Sequence, residues 1–212
     1  MAPCPIMTRQ RPPGRPSYSS WLALVLFVAL FLFPTLAHAQ QMVLELDSAR
    51  TQVQFTLDAF LHTVHGTIKL DQGKISIDPA TGRTSGLLVV DARSASTGNS
   101  GRDDKMHQDI LQSPQYPRIT FTPIEIQGPI APQGKSLAQL RGIISLHGKE
   151  QEIITPVSVE IDGSEWNAET SFPVPYVKWG LKNPSTFFLR VKDTVIVTVH
   201  AAGKISLTEP QP

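Results

Sequence analysis

Cysteine is almost absent from this chain. Its 212 residues include one, Cys4, so nothing beyond it can form an internal disulfide, a thiolate nucleophile or a Cys-ligated metal site. Basic blocks are missing as well. The 39 residues before Gln40 hold three of the 19 basic residues and none of the 18 acidic ones, which leaves sixteen against eighteen and a net charge of −2 over the remaining 173. A nearly neutral surface gives little hold on phosphates and excludes nucleic acid as a partner. No G-x-S-x-G elbow, Walker motif or G-x-G-x-x-G occurs, so serine hydrolase and phosphate-cradling chemistry find no support. Helical periodicity is confined to one short stretch, and neither an internal repeat nor a second domain is evident.

What is present begins with an export signal. Arg9, Arg11 and Arg15 precede an uncharged apolar run from Trp21 to Phe33; Pro34 breaks it, and Ala37-His38-Ala39 is an A-x-A cleavage site. That order is a secretory signal peptide. The thirteen apolar residues fall short of the roughly 20 that a membrane span needs. The n-region is long and Pro-rich, which offers Met7 as an alternative start. Expected boundaries are 1–39 for the signal peptide, 40–207 for one β-domain and 208–212 for a flexible tail. The expected location is the periplasm or the exterior, after cleavage near Ala39.

The remainder reads as strands. Val53 to Leu57, Thr67 to Leu70, Ile75 to Ile77, Ile119 to Phe121, Ile124 to Ile126 and Val157 to Ile161 alternate apolar with polar, and Val195 to Val199 is a more continuous apolar run. A period of two means one buried and one wet face. Turn formers separate the runs at Asp71-Gln72-Gly73, Asp78 to Gly82 and Asp162-Gly163-Ser164, which points to an antiparallel sandwich or barrel. Alternation does not separate the two, although medium-sized aliphatics at the inward positions lean towards a cavity. Arg102 to Gln112 is the helical stretch, with Met106, Ile110 and Leu111 on one side, Asp103 and Asp104 in the first turn, and Ser113-Pro114 as the stop. Ser94 to Gly101 reads as a polar loop.

Candidate chemistry is sparse. His62 and His65 have metal-binding spacing, yet on a strand they point to opposite faces. His147-Gly148 reads as a hairpin turn, and His200 as an outward residue of the last strand. Arg102 is expected to pair with a carboxylate, the sharper alternative being contact with a ligand head group. Trp166 alternates in phase with Ala168, Thr170, Phe172 and Val174. Pro173 to Gly180, with Tyr176 and Trp179, reads as an irregular connection with packed aromatics.

The run Thr97-Gly98-Asn99-Ser100-Gly101-Arg102-Asp103-Asp104-Lys105-Met106-His107, followed by Tyr116-Pro117-Arg118-Ile119-Thr120-Phe121, resembles the YceI family. Further matching pieces are His65-Gly66-Thr67, Val90 to Ser94, Gly142 to Gly148 and Val191 to Val195, so the resemblance spans about Leu44 to Ile205. It implies an all-β, antiparallel, eight-stranded lipocalin-like barrel with one short helix. It also implies an exported protein with a polyisoprenoid or similar amphiphile inside. Where the family often carries an Arg-x-x-Phe-Gly segment, this chain has Tyr176-Val177-Lys178-Trp179-Gly180, which leaves the lipid's identity open.

The expected role is therefore to hold a long-chain isoprenoid or similar amphiphilic lipid for storage or transport in the bacterial envelope, with no catalysis, cofactor or metal. Val53, Phe55, Leu57, Ile68, Leu70, Phe121, Trp166 and Phe172 are the candidate lining of its cavity, with ordinary core packing as the alternative for each. Expected partners are an isoprenoid or quinone-like lipid and a transiently contacted membrane, and a homodimer is allowed. The rival readings are a packed stress or interaction module and a lipid- or quinone-modifying enzyme.

Overall fold

Period-two alternation is realised as strands nearly throughout the computed structural model, which describes residues 40–60, 62–186 and 190–208. The expected signal peptide lies outside the described residues, as do positions 209–212. The strands are β1 (Gln41–Leu46), β2 (Gln52–Asp58), β3 (Thr63–Ile77), β4 (Thr84–Ser96), β5 (Arg118–Gln127), β6 (Gly134–Leu146), β7 (Lys149–Asp162), β8 (Glu165–Val174) and β9 (Val195–Thr208). Each pairs antiparallel with its chain neighbour from β2 to β9.

Closure comes from the first two strands, which share one position. β1 and β2 both lie between β3 and β9: β1 pairs with Lys74 to Ile77 and with Gly203 to Thr208, and β2 with Thr63 to Ile68 and with Ile196 to His200. Nine strand segments thus make a closed barrel of eight staves. A closed barrel leaves no unpaired edge to recruit another chain. The break between β1 and β2 is a turn in which Thr51 N and Arg50 N donate to Asp47 O, while Asp47 N donates to Ala202 O and keeps the stave tied to β9.

Two expected turns or gaps are bulges inside continuous strands. Asp71-Gln72-Gly73 belongs to β3, where the register against β4 shifts between Leu70 and Gln72. The extra residue resets the side-chain parity, so even-numbered Ile68 and Leu70 and odd-numbered Ile75 and Ile77 all face inward. Ile119 to Phe121 and Ile124 to Ile126 likewise form a single strand, β5, with a shift between Pro123 and Glu125. Proline suits that site because it has no ladder donor to waste. Asp78 to Gly82 and Asp162 to Ser164 are turns as expected, and His147-Gly148 is a tight hairpin with φ of 53° and 72°.

The helix, α1, runs from Ser100 to Lys105 and continues as a π-helical turn from Met106 to Ile110. It starts two residues before the expected Arg102 and stops short of Gln112, whose φ is 47°. Asn99 caps it by accepting from Arg102 N. The expected polar loop shrinks accordingly: Ser94 to Ser96 complete β4, leaving Thr97 to Asn99 outside regular structure. Similarly, Pro173 and Val174 complete β8, and only the residues after them form an irregular connection.

Up-and-down order sorts the connections into two ends. The β2–β3, β4–β5, β6–β7 and β8–β9 connections lie at one end; the β3–β4, β5–β6 and β7–β8 connections lie at the other. The second end is sealed by a core of Met42, Leu44, Ile75, Ile77, Ile126, Val157, Val159, Ile161 and Trp166. Trp166 is 2% exposed and its indole N–H donates to Lys204 O at 3.1 Å. Trp166→Ala should lower stability by about 3–5 kcal/mol, and Trp166→Phe, which keeps a ring but loses the donor, by about 1 kcal/mol. Urea unfolding of the 40–212 chain measures both.

Candidate functional site

Inward parity around the barrel encloses a cavity of about 630 Å³ whose wall is almost entirely hydrocarbon. The structure places Val53, Phe55, Leu57, Ile68, Leu70, Phe121, Trp166 and Phe172 all on that wall. Val53, Leu70 and Trp166 are also buried in its packing. Two of the rings depend on facing glycines. Gly66 lies opposite Phe55 in the β2–β3 register, and a Cβ there would sit 2.1 Å from Phe55 Cζ. A Cβ at Gly142 would sit 2.4 Å from Phe121 Cζ. Both rings lie over a backbone without side chain, so they line the wall and leave the lumen open.

The roof at the other end comes from residues that alternation could not place. Tyr176, Trp179 and Leu181 of the β8–β9 connection are buried and pack with Ile144 and Val174, and Ile110 and Leu111 join them from the helical side. Met106, Ile110 and Leu111 all reach the cavity. The Tyr176 hydroxyl donates to Lys192 O at 2.8 Å. Burial, and then the charge of Asp193, pushes its pKa up to about 12, so it remains a neutral donor. The β6–β7 hairpin clips onto the segment after the helix: His147 Nε2 meets Gln112 Oε1 at 2.9 Å, and its ring lies 4.2 Å from that of Tyr116.

Polar groups on the cavity wall are few. Thr155 and Thr170 satisfy each other, and Thr51 donates to Ala202 O. Thr84 Oγ1 is buried without a protein partner near the sealed end, where water or a ligand atom would satisfy it. Thr120 lies on β5, whereas His62, Thr97, Arg102, Lys105 and Thr186 belong to connections at the roofed end and mark a mouth. Arg102 does not pair with a carboxylate as expected. Its Nε donates to Thr97 Oγ1 at 2.7 Å and its Nη2 to Thr97 O at 3.1 Å. Thr97 is held in turn by Asp103, which accepts from its amide and hydroxyl and from Ser96 Oγ. Burial opposes ionisation of Asp103, but these hydrogen bonds and the nearby Arg102 charge outweigh it and hold its carboxyl below the ordinary value.

His62 and His65 separate. His62 lines the cavity, whereas His65 meets Thr56 Oγ1 on the exposed face. His107 is tied to Ser113 Oγ and Ala95 O, and exposed His200 lies 4.0 Å from Glu169. Among the described residues no three His, Cys, Asp or Glu side chains are placed to share a metal.

Comparison with known proteins agrees with this architecture. The family model described as a YceI-like domain matches residues 44–202. BcnA of Burkholderia cenocepacia superimposes with a TM-score of 0.64 at 19% identity, over 74% of this chain and 99% of that one. A polyisoprenoid binding domain from Saccharophagus degradans, implicated in plant cell wall breakdown, superimposes with a TM-score of 0.55 at 17% identity, over 79% and 98%. No curated protein matches the sequence.

The Asp103 clamp carries a pH signature. Its folded pKa is depressed, so its stabilisation is complete above the unfolded value of about 3.9 and is lost as pH falls through the folded value. Asp103→Asn should cost about 1 kcal/mol at neutral pH. The gap from the parent chain should shrink at pH 3, as measured by denaturant unfolding at both pH values.

Proposed function

We propose, for a chain that belongs to the YceI-like family, that the barrel holds a long-chain isoprenoid or similar amphiphilic lipid for storage or transport in the bacterial envelope. The observation that carries this reading is the hydrocarbon-walled cavity of about 630 Å³ that is sealed at one end and polar at the other. A packed module would have no such space. An apolar cavity of about 150 Å³ takes one benzene ring, so this interior suits a tail on the order of 25 carbons. The polyisoprenoid-binding domain of Saccharophagus degradans, which has the same barrel, supports the class of ligand.

Holding rather than converting is the accompanying reading. At the mouth Arg102 and Thr97 are tied into structure, and no nucleophile–base pair faces the lumen among the described residues. Burying hydrocarbon gives about 0.8 kcal/mol per methylene. Release of a long tail into water is therefore very slow, and transfer takes place at a membrane. Among the described residues of the β2–β3 connection at the mouth end, Phe60 is 80% exposed and available to dip into a bilayer. The A-x-A cleavage pattern at Ala37-His38-Ala39 supports the periplasm or the cell exterior as the site of these events.

Organic extracts of the 40–212 chain, purified without detergent from a host that makes isoprenoids, should yield a stoichiometric lipid by mass spectrometry. Ala168→Trp, which drives an indole into the lumen from the middle of β8, should abolish that yield while the barrel stays folded by circular dichroism. Recovery of no lipid from the parent chain would sink the proposal. Phe60→Asp should slow lipid transfer between vesicles at least tenfold without changing the lipid content of the purified protein. An unchanged transfer rate would remove Phe60 from membrane contact.

A further inference from the structure

The cavity wall includes three basic side chains, His62, Arg102 and Lys105, and no aspartate or glutamate. All three lie at the roofed end. Arg102 and Lys105 are three residues apart in α1, a spacing that puts them on one face of a helix. His62 approaches from the β2–β3 connection at the same end. From this arrangement we infer that the mouth receives an acidic head group, a phosphate monoester or a carboxylate, whose tail fills the lumen. The inference rests on the lipid-holding function proposed above and names the chemistry of the ligand's polar end.

The surroundings account for the charges nearby. Asp103 feels the Arg102 charge, but its oxygens are occupied by Thr97 and Ser96, and it does not reach the cavity. Asp58, below the β2–β3 connection, is paired with Lys192 at 2.8 Å and with Thr63. Asp104 does not line the cavity either. Lys105 and His62 make no side-chain hydrogen bond or ion pair among the described residues. Arg102 uses two donors on Thr97, and a guanidinium has others left for a ligand oxygen. The Thr97 clamp therefore fixes a cation whose remaining donors are free to meet an anion. Such charge-assisted bonds are about twice as strong as neutral ones. An uncharged head group would leave the Arg102 and Lys105 charges at the mouth without a counter-charge from the ligand.

Two probes with one tail separate head group from tail: geranylgeranyl phosphate and geranylgeraniol, titrated into the delipidated 40–212 chain and followed by tryptophan fluorescence. Trp166 and Trp179 both line the cavity and report on tail entry. The phosphate should bind at least tenfold more tightly than the alcohol, and Lys105→Gln should cut that ratio to threefold or less. Lys105 is exposed and has no hydrogen-bond or ion-pair partner among the described residues, so this variant keeps the fold; Arg102→Gln should lower the ratio further. Inorganic phosphate should fail to displace geranylgeranyl phosphate at millimolar concentration, and displacement at micromolar concentration would assign the mouth to free anions and overturn the inference. Equal affinity for the two probes would overturn the acidic head group and leave lipid holding intact. Binding of neither would overturn both.

Discussion

Everything in this protein hangs on the pairing of one interrupted stave. β1 and β2 are short, and neither alone could join β3 to β9 along their full lengths. Placed end to end they do, β1 against the sealed half and β2 against the open half. The ladder is thereby closed, and a closed ladder of eight staves has an inside. The break costs one turn, which the Asp47 carbonyl and the Ala202 carbonyl satisfy through backbone donors. Because β1 presents even-numbered and β2 odd-numbered residues inward, the turn also corrects the parity that a continuous strand would have carried through.

The inside is kept open by a division of labour along the axis. At the sealed end, branched aliphatics converge on Trp166 and fill the space. In the middle the residues are smaller, with Ala168 and Ala201 adjacent in the β8–β9 register. Phe55 and Phe121 lie over Gly66 and Gly142. At the other end, Tyr176, Trp179 and Leu181 fold inward as a roof, leaving the basic groups beside them. The gradient from sealed and apolar to roofed and basic matches the direction of the amphiphile proposed for it: tail first, head at the mouth.

The strands, most turns and the inward phase of Val53, Phe55, Leu57, Trp166 and Phe172 were legible because a half-buried strand must alternate. The bulges were not. Asp71-Gln72-Gly73 has the composition of a turn, and only the partner strand β4 shows that the chain runs straight through it. Ile119 to Phe121 and Ile124 to Ile126 looked like two strands for the same reason, their phases differing by one residue across Pro123. Tyr176 and Trp179 lie in a segment without periodicity, so no local pattern could tell a roof residue from a surface one. Arg102 was expected beside a carboxylate since charge complementarity is the default, whereas the fold offered the backbone and hydroxyl of Thr97.

The sequence by itself determined the all-β class, the confinement of cysteine to Cys4 and the family resemblance, each of which is written in local composition or in short motifs. Only the tertiary structure decided that the sheet closes as a barrel rather than stacking as a sandwich, since closure depends on pairing between β9 and strands some 150 positions earlier. It also decided which residues share the lumen. Cavity and mouth are made by the relative placement of eight staves, one short helix and one irregular connection, and no periodicity within any single segment encodes that placement.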